Sequence, residues 1–344
     1  MILNKRVKIS ACYIVKNESE NLKTSIESLR GQVDEIILVD TGSVDDTVKV
    51  AKSFGAKVFH EIWHDDFSAP RNVALGKASG DWIIFLDADE YFTPDTSKNI
   101  RQVIEKISTL NVNGLMINLV NVDLNDGNKI LDASFVLRIF KNLRGIGYVG
   151  KIHEELRLRG KSLTEIMALP KNFLTLYHTG YSSSFNRAKA ERNLKLLLSE
   201  LETDEPQRVY GYIAQCYNGL DDFVQAEKFA KLDIESGVKQ STFASSSYRI
   251  LLDILARENR LDERKLFADR AIKDFPTLPD FYAELAECYA AQNNFEDAAL
   301  MMSMALDKFK IYDGIETSIF NDELAEIAEH RINFWLNKIA EGLK

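Results

Sequence analysis

Two carboxylates one residue apart close an apolar run: Ile83-Ile84-Phe85-Leu86 leads straight into Asp87-Ala88-Asp89-Glu90. Trp82 to Leu86 reads as a central strand, and ligands of an α/β sheet bind beyond the carboxyl ends of its strands. Alternation along an extended backbone points Asp87 and Asp89 the same way. Two carboxylates on one side can hold a hard divalent cation, which in turn can hold a diphosphate. Taken alone the triplet is equally a solvated strand end or a helix cap; its place after an apolar strand selects the metal reading. Asp40 ends a second strand, Glu35 to Val39, and precedes Thr41-Gly42-Ser43-Val44-Asp45-Asp46-Thr47, a tight turn into a helix. A carboxylate there can accept hydrogen bonds from a base or a ribose, while Ser43 or Asp45 caps the helix.

These residues need elements to position them. The first ~140 residues alternate short β-rich runs with helical patterns, as a parallel α/β sheet does. Lys8 to Val15 is the first expected strand, followed by a helix capped by Asn17 or Ser19 with Leu22, Ile26 and Leu29 inward. A helix from about Asp45 carries Val48, Ala51 and Phe54 inward and stops at Gly55. Lys57 to Phe59 is a short strand, and Ser68 to Ala78 a helix. Leu115 to Val122 and Ser134 to Phe140 form a hairpin around Asn125-Asp126-Gly127-Asn128, and Leu143 to Arg159 reads as a loop region.

From about Asn186 the pattern is helical and repeats. Tyr210, Ile213, Ala214, Tyr217, Phe223, Ala226 and Ala230 match Tyr282, Leu285, Ala286, Tyr289, Phe295, Ala298 and Met302 in order. Between them Tyr248, Leu251, Leu252, Leu255, Leu261 and Ala271 form a weaker copy closed by Pro276. Tyr282 follows Tyr248 by 34 residues, the tetratricopeptide period, and Tyr248 follows Tyr210 by 38, leaving room for an insertion near Ser241 to Ser246. The alternative is a helical bundle with chance periodicity.

Ile14-Val15-Lys16-Asn17-Glu18, Val39-Asp40-Thr41-Gly42-Ser43, Asp66-Phe67-Ser68-Ala69-Pro70-Arg71-Asn72 and Asp81 to Glu90 together resemble the family 2 glycosyltransferases over roughly Ile9 to Phe92. The resemblance implies a GT-A (Rossmann-like) α/β catalytic domain over residues 1–185, followed by an all-α tetratricopeptide-like domain over 186–344. It also implies inverting transfer from a UDP-type nucleotide sugar, with Mn2+ or Mg2+. By it, Val15, Asn17, Glu18, Asp40, Gly42, Ser43, Asp87 and Ala88 lie at the nucleotide, and Arg71 and Asn72 at the phosphates or nucleotide. Asp87 and Asp89 bracket the metal-diphosphate, and His178 is a further metal ligand candidate, with a purely structural histidine as the alternative. Pro70 departs from the small residue expected there.

Inverting transfer needs a base for the acceptor proton. His153, Glu154 and Glu155 are the candidates, Glu154 first; a surface charge cluster is the alternative. His60 and His64 flank Trp63 beside Asp65-Asp66 and line a nucleotide pocket more readily than they hold a metal. Arg138, Lys141, Arg144, Lys151, Arg157 and Arg159 either steer an anionic donor or form an ordinary solvated face. The subset with a late His-x-Gly-Tyr and following repeats, which includes peptide S- and O-glycosyltransferases that modify bacteriocins, is most similar. A peptide or protein acceptor is therefore expected, since solenoids offer long surfaces to extended chains. A cell-surface polysaccharide or lipid-linked acceptor is the enzyme alternative, and a scaffold with an inactive transferase domain the non-enzyme one. A nucleotidyltransferase would carry a Gly-rich basic loop after its first strand, where this chain has Lys16-Asn17-Glu18-Ser19-Glu20.

A net charge of -9 argues against a general nucleic-acid binder. No apolar run is long enough to span a membrane, and the N-terminus shows no signal core, so the cytoplasm is expected. Cys12, Cys216 and Cys288 lie far apart and suit buried thiols in a reducing compartment. Repeat helices could pair two chains as a homodimer.

Overall fold

The computed structural model describes residues 6–123, 126–127, 129–180, 187–237 and 243–342. The chain divides into two compact units, Met1–Phe185 and Asn186–Lys344.

In the first unit, β1 (Ile9–Val15), β2 (Glu35–Asp40), β3 (Lys57–His60) and β4 (Trp82–Phe85) are parallel in the order β3-β2-β1-β4. The sheet then turns mixed. β7 (Lys129–Lys141) runs antiparallel to both β4 and β6 (Gly114–Asp123). β12 (Thr175–His178) lies parallel to β6, with β5 (Glu90–Phe92) antiparallel at the edge and β11 (Ile166–Ala168) beside β6. This is the expected Rossmann-like α/β class. The hairpin turn lies partly outside the described residues, at Asn125 and Asn128.

Alternation along β1 builds two cores. Ile9, Ala11, Tyr13 and Val15 pack with Leu22 and Ile26 of α1 (Ser19–Ser28), Ala51 of α2 (Thr47–Ser53) and Ile100 and Ile104 of α5 (Ile100–Ile107). Cys12 faces the other way, onto Ala74 and Leu75 of α3 (Ser68–Lys77). Period-2 strands between period-3.6 helices produce this division. Between β5 and α5 the chain makes one further helical turn, α4 (Pro94–Ser97).

Three expectations change. Neither Asn17 nor Ser19 caps α1. Asp45 accepts from Ser19 N–H at 3.2 Å and Thr47 Oγ1 from Glu18 N–H at 2.7 Å, so the second βα loop caps the first helix. Residues 143–159 are not simply loop: β8 (Ile146–Val149), β9 (Glu155–Leu158) and β10 (Lys161–Ser162) form a three-stranded antiparallel sheet. Its strands are too short, and too broken by glycine, for alternation to show. Lastly, β4 stops at Phe85, and Glu90 N–H reaches Asp87 O at 3.1 Å, so the carboxylate pair sits on a turn and not on extended backbone.

The second unit opens with α6 (Arg187–Ser199) and a 3-10 turn at Pro206–Arg208. Three helix pairs follow: α7 (Tyr210–Gly219) with α8 (Phe223–Glu235), α9 (Ser246–Arg257) with α10 (Leu261–Asp274), and α11 (Pro279–Ala291) with α12 (Phe295–Lys310). They carry the three sequence copies in register. Each pair turns through one left-handed residue, Asp221, Asn259 or Asn293 (φ 64, 56 and 57°), types that tolerate that region. Asp222 and Asn294 then cap α8 and α12, accepting from Gln225 and Asp297 N–H. Ala214, Ala226, Ala230, Ala271, Ala286 and Ala298 are fully buried, small enough for helices to cross closely. Residues 241–242 of the expected insertion lie outside the described residues. A long last helix, α13 (Asp322–Gly342), packs on α12 through Ala328 and Trp335.

Candidate active site at the strand ends

The loops after β1, β2 and β4 all leave the carboxyl edge of the parallel sheet, and they interlock. Asn17, left-handed at φ 58°, donates its amide to Ser43 Oγ at 2.9 Å, while its Oδ1 accepts from Val44 N–H at 2.8 Å. Asp40, buried, closes its own turn by accepting from Ser43 N–H at 3.1 Å and Gly42 N–H at 3.3 Å; Gly42 has φ 108°. His60, at the end of β3, places Nδ1 3.2 Å from Asp40 Oδ2. Burial pushes the Glu18 carboxyl up, partly offset by a hydrogen bond from Asn21, and the carboxylates of Asp89, Asp45 and Asp87 push it further. Asn17, Asp40, Gly42 and Ser43 are thus tied together at the ends of β1 and β2, and Glu18 feels the carboxylates of the Asp87–Asp89 turn, whereas the Val15 side chain packs into the core.

The two aspartates of that turn have different surroundings. Asp87 accepts from Arg71 Nη2 at 2.9 Å on one oxygen and from Arg138 Nη2 at 2.8 Å on the other. Burial would raise its carboxyl, but the two guanidinium groups hold it well below the ordinary range. Arg71 also donates through Nε to Glu154 Oε1 at 2.9 Å, and its guanidinium lies 4.9 Å from the Phe85 ring centroid and 5.5 Å from that of Tyr148. Arg138 is no surface cation. β7 sets Ile139 opposite Ile84, which brings Arg138 alongside the end of β4 and onto the buried Glu90 at 2.6 Å.

Asp89 faces His178 instead. The β12–β5 pairing sets His178 opposite Glu90, and β12–β6 sets it opposite Asn121. His178 Nδ1 lies 2.7 Å from Asn121 Oδ1, and Nε2 lies 3.2 Å from Asp89 Oδ2. An amide oxygen only accepts, so Nδ1 carries the hydrogen, and neutral Nε2 would aim a lone pair at a carboxylate. Either a proton on Nε2 or a metal ion therefore joins the two. Burial draws the His178 pKa down, but the Asp89 hydrogen bond and the neighbouring carboxylates raise it overall. Close approach is built in, because a Cβ on Gly180 would lie 1.9 Å from Asp89 Oδ2. Among the described residues no three His, Cys, Asp or Glu side chains group to hold a metal. Asp89 and His178 would offer one oxygen and one nitrogen ligand to a divalent cation held there.

The base candidates diverge. Ser68 Oγ donates to Gly150 O at 2.5 Å and Phe67 N–H to Lys151 O at 2.8 Å, so the 150–154 loop docks on the start of α3. His153 sits at φ 50°, turning Glu154 toward Arg71 and Asp87. Glu155 belongs to β9 and pairs with Arg157 and Ser162 in the small sheet. Asn72, expected at the nucleotide, has its amide committed to Tyr148, donating to its carbonyl at 2.8 Å and accepting from its N–H at 2.7 Å. Asn121 was not among the expected residues, Arg138 was expected only as one of six cations that steer a donor or form a solvated face, and Gly180 only as part of the late His-x-Gly-Tyr. A further signal was that Arg138 interrupts the apolar run Phe135 to Phe140.

Residues 10–156 match the family model for glycosyl transferase family 2. The chain is 26% identical over 324 residues to the SPbeta prophage-derived glycosyltransferase SunS of Bacillus subtilis, covering 90% of this chain and 74% of that one. It is 29% identical over 272 residues to a TPR repeat-containing protein of Synechococcus elongatus, covering 76% of this chain and just under two thirds (64%) of the relative. Among solved structures it is similar to TarS of S. aureus at 17% identity and a TM-score of 0.42, covering 75% of this chain and 54% of that one, too distant to bear on the site. Residues 10–156 are therefore a glycosyl transferase family 2 domain, and tetratricopeptide-like helix pairs follow it.

Proposed function

We propose that the chain transfers a sugar, with inversion, from a UDP-type nucleotide sugar to a peptide or protein, with residues 1–185 as catalytic domain and 186–344 as the acceptor-binding repeat domain. The observation that carries the donor half is Asp89 Oδ2 facing His178 Nε2 at 3.2 Å, an oxygen and a nitrogen turned to one point beside the Asp87–Asp89 turn. Mn2+ or Mg2+ bound there would neutralise the leaving diphosphate. Asp89 and His178 hold that ion, and Asn121 keeps Nε2 free of hydrogen. Asp40, Gly42, Ser43, Asn17 and Glu18 face the nucleoside. Arg71 fixes Asp87 and Glu154 in direction, and Glu154, the inward member of its loop, takes the acceptor proton.

The acceptor half rests on the three stacked helix pairs, which offer a continuous surface to an extended chain. No helix among the described residues is long and apolar enough to cross a membrane, which agrees with action in the cytoplasm on a polypeptide. A homodimer through the repeats belongs to the same reading. Donor hydrolysis with a panel of nucleotide sugars, with and without Mn2+, tests the donor half. Asp89→Ala retaining metal-dependent UDP-sugar binding would refute it. Transfer to a lipid-linked sugar and to no peptide would refute the acceptor half.

A further inference from the structure

Arg138 comes from an antiparallel strand that supplies nothing else to the site, yet it closes a ring around the first aspartate of the turn. Its Nη2 donates to Asp87 Oδ2 at 2.8 Å and to Glu90 Oε1 at 2.6 Å, while Glu90 Oε2 accepts from Asp87 N–H at 3.2 Å. Asp87 is thereby gripped by its side chain and its own backbone through one buried pair. Arg71 holds the other carboxylate oxygen at 2.9 Å and continues to Glu154. We infer that Arg138, anchored by Glu90, is a positioning residue for the transfer: it fixes the direction of the Asp87 carboxylate at the donor diphosphate. This rests on the donor reading above.

Folding alone does not call for such a ring. A buried ion pair is commonly replaced by well-packed apolar residues at no loss of stability, so a Leu–Met pair would close this end of the sheet as well. Nor is the cluster complete by itself. Arg138 Nε and Arg71 Nη1 are buried and have no hydrogen-bond partner among the described residues. Buried donors are rarely left so, and here two guanidinium groups that each leave one flank the same aspartate. A β7 residue therefore controls a carboxylate 51 positions earlier in the chain.

The test separates positioning from packing. Arg138→Met leaves Glu90 buried and unpaired, so both stability and turnover are expected to fall, kcat by about 100-fold for a displaced group. In the double variant Glu90→Leu/Arg138→Met the unpaired charge is gone. Its melting temperature is expected to return close to the parent value while kcat for UDP-sugar hydrolysis stays down by about 100-fold. Arg138→Lys, which keeps the charge and the fold but not the planar fork, is expected to lose roughly tenfold in kcat with little change in KM. Recovery of kcat together with stability in the double variant would show a packing pair only and overturn the inference. So would a kcat within about threefold of the parent in Arg138→Lys and Arg138→Met alike. Asp89→Ala run alongside separates the two readings: full activity there sinks the donor site itself, whereas loss there with active Arg138 variants sinks only this inference.

Discussion

Arginine is used in opposite ways in the two units. In the repeats, Arg260 donates to Glu227, Glu258 and Glu263 from all three of its nitrogens at 2.7–2.8 Å, and Arg264 donates twice to Glu284. These groups sit at the rim, saturated, and hold one helix to the next. In the catalytic unit, Arg71 and Arg138 are buried against Asp87, Glu90 and Glu154, and each keeps one donor without a partner among the described residues. A saturated network in high dielectric is scaffolding worth little per pair; an unsaturated one in low dielectric is costly and remains where a ligand completes it. An unsatisfied buried atom does not by itself mark the site, since Arg101 Nε and Asn218 Oδ1 also lack a partner among the described residues; what sets Arg71 and Arg138 apart is that both converge on one carboxylate.

The largest effect that would break this contrast lies at Gly180. Gly180→Ala puts a methyl against Asp89 Oδ2, so metal-dependent donor hydrolysis should fall by about 100-fold or more, as for a misplaced reacting group. An alanine variant with parent kinetics would remove Asp89 and His178 from the chemistry. Next comes Arg71→Met, which strands Glu154 and leaves Asp87 to Arg138 alone. Denaturant melts should show a loss of about 3–5 kcal/mol, with Arg71→Lys milder because one charge remains. In the repeats, Ala298→Leu overfills the crossing of α11 and α12 and should cost about 1–3 kcal/mol while donor hydrolysis per folded molecule is unchanged.

Arg260→Ala should have the smallest effect, within about 1 kcal/mol in a neutral-pH melt. Its signature is pH dependence. Arg260, then Lys231, hold the Glu227 carboxyl at about 2 against an ordinary 4.5. A carboxyl lowered in the folded state stabilises above its unfolded value, and that contribution drains away as pH falls toward 2. Stability of the parent should therefore drop more steeply between these limits than that of Arg260→Ala; equal slopes would refute the ladder.

Much of this architecture is written in local pattern. Trp82 to Phe85 and Glu35 to Asp40 read as buried strands because their apolar runs are unbroken, and Asp40 and Asp87 to Asp89 follow from where those runs stop. The helix pairs were legible because tyrosines and alanines recur at the spacing a stacked pair requires. β5, β8, β9 and β12 were not, since strands of three or four residues have too little alternation to stand out. Alternation along a strand would point Asp87 and Asp89 the same way, but their partners diverge because the backbone has already left the strand.

Residue types and their order alone determined that carboxylates would gather at the ends of parallel strands and that helical repeats would follow. Both depend on contacts within a dozen or so neighbours, where periodicity and turn chemistry decide. Which carboxylate meets an arginine and which a histidine was decided only by the tertiary structure. Arg138 reaches Asp87 through β7, His178 reaches Asp89 through β12, and Glu154 reaches Arg71 through a loop docked on α3. Each pairing spans 50 to 90 positions of chain. Only the sheet order brings them together, because charge and hydrogen-bond complementarity act at a few ångströms and carry no mark of sequence distance.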